Sequence, residues 1–270
     1  MTRWTRSPVQ SLALSTLLVV AALLAGPSAL LAQESTAPPS DPKALDLADV
    51  TLKAMGGQEG CNAARFFRFD FVVEKGGKIV GGGYQHWWDR QTGRYRLEGK
   101  NKEGKPFVVL FNVQDRKGRV WLEGKPADAE ASAKLLEYAY GRFINDTYWF
   151  LMPFKMKDPG VRLRAEEPRA DPSGKKWSVV QLSFDKGIGL TSGDRYWAFI
   201  DPETHLMGRW EYVLEDEKPP ATAWTWEEWK SFGPILLSPV KKEVGTDTVI
   251  RFPNLSVSET VDESAFKEPV

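Results

Sequence analysis

Few residues of this sequence have the types and spacing that catalysis requires. The two histidines, His86 and His205, are distant in sequence, and neither lies in a metal-binding pattern such as H-E-x-x-H. The chain also lacks the G-x-S-x-G motif of serine hydrolases and the G-x-x-x-x-G-K-[ST] motif of phosphate-binding loops. We therefore predict no catalytic residue, no metal and no cofactor, and we interpret His86 as a structural histidine.

Three aspartates stand beside aromatic residues: Asp89, Asp146 and Asp194. A carboxyl group in apolar surroundings has a raised pKa, which suits acid–base catalysis. However, Asp89 and Asp194 fall where predicted strands meet turns, and Asp146 falls at a predicted helix cap, so structural roles are favoured. An enzyme that uses Asp146 or Asp89 on an amphiphilic substrate remains an alternative.

Residues 76–83, GGKIVGGG, contain enough glycine to resemble a phosphate-binding loop. They lie inside a strand pattern, however, and no Lys-Ser or Lys-Thr pair follows them. Glycines in a curved sheet permit a sharp bend or a close approach of two backbones. We predict that role for Gly81–Gly83.

The segment NDTYWFLMPFKMKDPG, residues 145–160, places large apolar side chains almost back to back. A segment that is apolar on all sides is buried on all sides, so it is predicted to be core or the wall of a site for an apolar ligand. Tryptophan suits amphiphiles, because its ring is apolar and its N–H reaches polar groups, and lysines at a rim can offer ammonium groups. The predicted ligand-binding residues are Trp88, Tyr148, Trp149, Phe150, Met152, Phe154, Lys155 and Trp210.

Charge and cysteine content exclude some classes of protein. The chain carries 36 basic and 36 acidic residues, whereas a nucleic-acid-binding domain shows a basic excess. We therefore predict no nucleic-acid partner. Cys61 is the single cysteine, so no intramolecular disulfide can form.

The N-terminus has the order of a secretory signal peptide. Basic residues, an apolar run over Leu12–Leu24, a Gly26-Pro27 break and small residues before Gln33 follow one another. The break leaves the run shorter than the roughly 20 residues of a membrane-spanning helix, although a retained anchor is the alternative. We predict a signal peptide at 1–32, a flexible polar leader at 33–41, a single domain at 42–270, and a periplasmic location.

The rest of the chain is predicted to be mainly β. Asp41-Pro42 begins a helix that Gly56-Gly57 ends, and period-two alternation of apolar and polar residues then recurs with turn signals between the runs. So many strands predict a curved antiparallel sheet of about eleven strands that forms a partial barrel. The predicted strands cover 67–73, 78–89, 94–98, 107–113, 119–122, 161–165, 177–184, 195–200, 206–214, 222–229, 235–244 and 248–257.

A helical insertion interrupts the sheet in mid-chain. Helical spacing of apolar residues predicts an amphipathic helix over Asp128–Phe143. Asn145-Asp146 then offers a second cap, so that Thr147–Leu151 forms a separate short helix before Pro153 ends it. The insertion is predicted to plug or cover the open side of the barrel.

This layout resembles the LolA-like superfamily of periplasmic lipoprotein carriers. The motifs AMGG (54–57), HWWDRQTGRYR (86–96), NDTYWFLMPFKMKDPG (145–160) and GIGLTSGDRYWAFIDPETHLMGRWEYVL (187–214) are similar to those of an exported bacterial branch of it. The resemblance implies a half-open barrel that is covered by helices and holds acyl chains in an apolar cavity. Residues 148–154 would then form its lid or wall.

These observations predict a non-catalytic periplasmic protein that binds a lipid or the acyl chain of a lipoprotein and contacts a membrane or membrane protein transiently. The first alternative is a protein-interaction or sensor module with a filled barrel. The second is a hydrolase-like enzyme with an amphiphilic substrate. A large empty cavity would favour the carrier, and a filled barrel would favour the interaction module.

Overall fold

The computed structural model of the chain describes residues 39–269. The predicted signal peptide, 1–32, and all but the last three residues of the predicted leader, 33–41, lie outside that range. Within 39–269, no helix combines the length and the apolar character needed to cross a membrane.

Strands make up most of the described chain. Their bounds are β1 Phe66–Lys75, β2 Lys78–Asp89, β3 Arg94–Lys100, β4 Pro106–Asn112, β5 Gly118–Leu122, β6 Lys125–Pro126, β7 Val161–Ala170, β8 Lys176–Phe184, β9 Arg195–Ile200, β10 Met207–Val213, β11 Thr222–Glu227, β12 Lys230–Phe232, β13 Ile235–Leu237, β14 Val240–Glu243, β15 Thr248–Arg251 and β16 Ser256–Ser258.

Fourteen of these strands form one sheet in the order β6-β5-β4-β3-β2-β1-β15-β14-β11-β10-β9-β8-β7, with β16 also paired to β1. β12 and β13 form a separate hairpin. The sheet is antiparallel, and its outer strands β6 and β7 do not pair with each other. The predicted mainly β fold, a half-open barrel with an N-terminal helix and a helical insertion, is therefore confirmed.

Two predicted strands are each divided by a proline. The run 235–244 becomes β13 and β14 around Pro239, and the run 248–257 becomes β15 and β16 around Pro253. Proline has no N–H to donate to a neighbouring strand. The carbonyl of Pro239 still accepts a hydrogen bond from Phe252 N at 3.0 Å, and that of Pro253 accepts one from Asp70 N at 2.8 Å. Both prolines therefore remain hydrogen-bonded to a neighbouring segment of the chain.

The N-terminal helix α1, Pro42–Ala54, begins as predicted. The Asp41 side chain accepts a hydrogen bond from Lys43 N, and a proline occupies the first turn. After Gly56, whose φ of 118° requires glycine, a second short helix, α2 Gly57–Ala63, follows. Gly56-Gly57 therefore separates two helices, where the sequence predicted a simple end.

Residues at the end of the predicted leader cover one edge of the sheet. Asp41 N donates to Leu163 O at 2.9 Å, and Leu163 N donates to Ser40 Oγ at 3.1 Å. Strand β7 thus gains partners on its outer side. The opposite edge, β6, has only two residues, one of them Pro126. A covered edge and a short edge both disfavour pairing with another chain.

The helical insertion is one helix, α3 Ala129–Leu151, followed by a 3-10 turn over Met152–Lys155. The prediction of a second helix capped at Asn145-Asp146 is wrong. Asp146 lies within the helix and pairs with Arg142, one turn earlier on the same helix. Since its carboxylate has partners in the interior, it does not act as a cap, and the helix continues to the residues before Pro153.

The core contains a fully buried lysine. Lys241 on β14 is 0% exposed, and its Nζ donates to Ser238 Oγ at 2.8 Å and lies 3.8 Å from the centre of the Trp226 ring. Burial lowers the pKa of Lys241 well below its usual value. The unfolded chain therefore takes up a proton as the pH falls below about 10.5, while the folded chain does not until the pH reaches the lower folded value.

We expect Lys241 to destabilise the fold as the pH falls from 10 to 7. The free energy of unfolding of the wild type should fall relative to that of Lys241→Met as the pH falls below about 10.5, because the unfolded chain then binds a proton that the folded chain does not. Urea unfolding of both proteins at several pH values measures the difference. If the free energies of unfolding of the two proteins changed with pH in the same way, Lys241 would have the same pKa in the folded and the unfolded chain.

Candidate functional site

A cavity of about 970 Å³ lies between α3 and the inner face of the sheet. Strands β1 and β2 form one wall, β8–β11 with β14 and β15 form another, and the second half of α3 with the following turn forms a third. Most lining side chains are apolar. The volume is at the upper end of the roughly 300–1,000 Å³ that small-molecule sites occupy.

Aromatic rings form the wall on the β9–β11 side. Trp149 of α3 contacts Trp210 and Trp224 edge-on, with ring centres 4.8 and 4.9 Å apart. Tyr196 and Tyr212 lie 5.2 and 5.1 Å from Trp210. Edge-to-face pairs are favourable beyond their buried area. All five rings line the cavity, so the wall is apolar and well packed.

The structure brings six of the eight predicted ligand-binding residues to the cavity. The lining includes Trp88, Tyr148, Trp149, Phe154, Lys155 and Trp210. Phe150 and Met152 are each 0% exposed and lie outside the lining. Phe150 packs against Phe69 and Phe252, with ring centres 4.7 and 5.1 Å away. Successive residues of a helix point about 100° apart, so Trp149 and Phe150 face different surroundings.

The two consecutive tryptophans of β2, Trp87 and Trp88, point to opposite faces of the sheet, as the alternation of side chains along a strand requires. Trp88 faces the cavity and contacts Phe67 and Phe143. Trp87 faces the other side, where the Arg68 guanidinium lies 4.3 Å from the centre of its ring. One ring of the pair therefore lies inside the barrel and the other lies outside it.

Sequence reasoning missed several lining residues. Tyr196, Tyr212 and Trp224 share alternating inward positions with Trp210, and that period-two pattern was a usable signal. The loop residues Ile188–Leu190 also line the cavity. They lie between strands in a loop with glycines at positive φ, and no periodicity indicates their direction.

Exposed aliphatic side chains surround the cavity at one end of the sheet. Within 39–269, the large apolar residues with high exposure are Ile79, Val80, Leu190 and Val244, at 69%, 44%, 50% and 45%. They lie at the start of β2, in the loop after β8 and directly after β14. Val80 and Leu190 also line the cavity, so part of the cavity lining is exposed to solvent. We call these four residues the rim.

The glycines Gly81–Gly83, in the first half of β2, shape this end of the sheet. Gly82 has a φ of 78°, and a Cβ there would lie 2.4 Å from Phe71 O. The pairing of β1 with β2 shifts register between Phe71 and Val72, which marks a bulge. The close approach predicted for Gly81–Gly83 is thus present at Gly82.

A buried polar cluster joins α3 to β2 and β3. His86 Nδ1 lies 2.7 Å from Tyr95 Oη, and His86 Nε2 lies 3.2 Å from Asp146 Oδ2. Arg142 Nε donates to Asp146 Oδ2 at 2.9 Å, and Asn145 Nδ2 donates to Asp146 Oδ1 at 2.8 Å. The carboxylate is therefore surrounded by donors from two elements.

Burial lowers the pKa of His86, and the adjacent Asp146 carboxylate offsets this only in part. Burial also raises the pKa of Tyr95 well above its usual value. These neighbours assign a neutral imidazole whose Nδ1 accepts from Tyr95 Oη and whose Nε2 faces the Asp146 carboxylate. The carboxylate–imidazole–hydroxyl order resembles a catalytic triad, but all three residues are 0% exposed, so no substrate reaches them in this structure.

The other two aspartates are also held by hydrogen bonds. Burial alone would raise the pKa of Asp89, but hydrogen bonds from Arg65, Thr92 and Arg94 hold that pKa well below its usual range. Asp194 accepts from Thr191 Oγ1 at 2.7 Å and Tyr196 Oη at 2.8 Å. Both side chains fix turns at strand ends, as predicted. Among the described residues, no group of three or more His, Cys, Asp and Glu side chains is arranged to hold a metal ion.

Adjacent residues of α3 should differ in their effect on stability. Phe150→Ala removes a fully buried ring and should lower the free energy of unfolding by about 3–5 kcal/mol. Trp149→Ala removes a ring that borders the cavity on one side, and we expect about half that loss. Urea unfolding of the two variants provides the comparison. Equal, core-sized losses would place Trp149 in a filled core.

Solved structures that are similar to this chain include one protein described as a member of the LolA superfamily. The chain is similar to a DUF1329 family protein from Desulfovibrio piger ATCC 29098, with a TM-score of 0.48, 12% identity and coverage of 84% of this chain and 98% of that one. A LolA superfamily protein from Nitrosomonas europaea gives a TM-score of 0.47 and 6% identity, with coverage of 84% and 99%.

A domain assigned to outer membrane lipoprotein sorting from Vibrio parahaemolyticus gives a TM-score of 0.44 and 9% identity, with coverage of 83% and 96%. No protein-family model and no curated protein matches the chain. The identities are below 25% and the TM-scores below 0.5, so these likenesses concern the fold and say nothing about a ligand or an activity.

Proposed function

We propose that this protein is a periplasmic carrier that binds a lipid or another acyl-bearing ligand, such as the acyl chain of a lipoprotein, without chemical change. The observation that carries the proposal is the cavity of about 970 Å³ with mainly apolar walls. Each CH₂ group moved from water into such a site contributes about 0.8 kcal/mol, so a long chain gains substantial affinity from burial alone.

The cavity favours a carrier over an interaction module with a filled barrel. Trp149, Trp210 and Trp224 pack edge-on against one another and leave the space beside them open. A non-catalytic role is supported by the full burial of His86 and Asp146, since acid–base chemistry requires contact with the substrate.

The rim supports transient contact with a membrane. Exposed aliphatic side chains that adjoin an apolar cavity mark interaction sites. Lys75 and Lys78 pair with each other on the same hairpin, and Ile79 directly follows Lys78. Lysine stems can lie along an apolar surface while their ammonium groups reach lipid phosphates. An acyl chain that entered between Val80 and Leu190 would pass from bilayer to cavity along apolar surface. The periplasmic location is proposed from the signal-like order of residues 1–32.

We expect purified protein to bind hexadecanoic acid, and Trp88→Ala to weaken that binding by about tenfold, because ring contacts of this kind contribute on the order of 1 kcal/mol or more. Displacement of the neutral dye Nile red measures both affinities. Trp87→Ala is the matched control, since Trp87 faces away from the cavity, and its affinity should equal that of the wild type. A wild type that binds no acyl compound would refute the proposed function.

The rim should affect the rate of transfer more than the affinity. Ile79→Ser combined with Val244→Ser changes two exposed residues that do not line the cavity. We expect slower transfer of a fluorescent fatty acid from phosphatidylethanolamine–phosphatidylglycerol vesicles, with unchanged affinity in the absence of vesicles. Ile79→Val with Val244→Ile keeps the aliphatic surface and should transfer at the wild-type rate. Equal rates in all three proteins would exclude membrane contact through the rim.

A further inference from the structure

The apolar wall of the cavity contains one deeply buried cation, Arg142. The residue is 9% exposed, and its side chain keeps 10% of its surface accessible. Arg142 is also one of the residues that line the cavity. Burying a guanidinium is costly unless its N–H groups have partners, so its position in an apolar wall calls for an explanation.

Asp146 satisfies only one side of this guanidinium. Arg142 Nε lies 2.9 Å from Asp146 Oδ2, and Arg142 Nη2 lies 2.5 Å from Asp146 Oδ1. Asp146 is fully buried and does not line the cavity. Seen from the cavity, the carboxylate therefore lies behind the arginine, and a ligand meets the guanidinium rather than the acid.

The Asp146 carboxylate also has other donors. Asn145 Nδ2 donates to Oδ1 at 2.8 Å, and His86 Nε2 lies 3.2 Å from Oδ2. These contacts share the negative charge, so Asp146 does not depend on Arg142 alone. Arg142 can therefore donate hydrogen bonds to a second acceptor without leaving the Asp146 carboxylate unpaired.

Two aromatic rings fix the guanidinium in place. Its Cζ lies 4.9 Å from the centre of the Phe71 ring and 4.6 Å from that of Tyr84. A guanidinium held in this way loses little freedom when it binds a ligand. The site is therefore organised before the ligand arrives.

The charges of the lining residues also favour an anion. The described residues that line the cavity include the cations Lys75, Arg90, Arg142 and Lys155 and the anions Asp158 and Glu243. Lys155 pairs with Asp158. Of the two arginines, Arg90 directs its donors to the backbone carbonyls of Cys61 and Ala64, which leaves Arg142 as the better placed cation for a ligand.

We propose that Arg142 binds the anionic headgroup of the ligand, a carboxylate or a phosphate, while the acyl chain lies along the aromatic wall beside Trp149. Guanidinium groups match the geometry of both anions through paired N–H donors. This inference rests on the proposed function, because it assigns one end of the same ligand.

The test compares ligands with the same chain and different headgroups. Hexadecanoic acid, hexadecyl phosphate and hexadecanol each displace Nile red at pH 8, where both acids are ionised. For the wild type we expect at least one anion to bind about tenfold more tightly than the alcohol, as a hydrogen bond to a charged group permits. Which anion binds more tightly identifies the headgroup. Equal affinity for all three compounds would overturn the inference while leaving the proposed function intact; no binding of any of them would refute both.

Variants then assign the preference to Arg142. Asp146→Asn keeps an acceptor for His86 and removes the opposing charge, so it should widen the preference for the anion. Adding Arg142→Met to this variant should abolish the preference, while the protein still binds hexadecanol. Arg90→Met, the control at the other lining arginine, should retain the wild-type preference. Loss of the preference in Arg90→Met, or its survival in the Asp146→Asn/Arg142→Met protein, would overturn the inference.

Discussion

The contacts that Arg142 and Asp146 make with strands β1 and β2 fix the rotation of the helix on which the whole interior depends. Asp146 contacts His86, and the Arg142 guanidinium lies against the Phe71 and Tyr84 rings. A sheet that does not close leaves its inner face to be covered, and α3 is the long helix that covers it. The pair joins one stripe of α3 to β2 through His86. Buried ion pairs are costly unless their groups have partners. The Asp146 carboxylate accepts hydrogen bonds from Arg142 Nε and Asn145 Nδ2 and lies 3.2 Å from His86 Nε2. Once that stripe is fixed, the direction of every other side chain on the helix follows.

The cavity follows from this geometry. Residues four apart share one side of a helix, so Phe150 joins Arg142 and Asp146 on the side that faces β1 and β2, and packs on Phe69. Tyr148 and Trp149 must then face β9–β11. One helix with its side chains is about 10–12 Å across, which is narrower than the inner face of a sheet of this many strands. Space therefore remains beside the helix, and edge-to-face contacts of Trp149 keep its aromatic wall in place.

Most of the sheet could be predicted from the sequence, because period-two alternation reports directly which residues face inward. The same rule separated Trp87 from Trp88. The continuity of α3 could not be predicted, since Asn145-Asp146 has the composition of a helix cap and its partner His86 is distant in sequence. The different positions of Trp149, which borders the cavity, and Phe150, which lies in the core, could not be predicted from the sequence either. Both are large aromatic residues in one apolar segment. Only the rotation of α3, fixed by the contacts of Arg142 and Asp146 with β1 and β2, decides which borders the cavity and which belongs to the core.

The central claim is that the cavity holds an acyl-bearing lipid in the cell. Native mass spectrometry of the protein, purified under mild conditions from its own cells, tests this most directly. The spectrum should contain a population heavier than the unliganded protein by the mass of a lipid, and that adduct should yield an acyl compound when it is dissociated in the gas phase. A spectrum that contains only the unliganded chain, from protein that also takes up no lipid when mixed with vesicles, would contradict the claim.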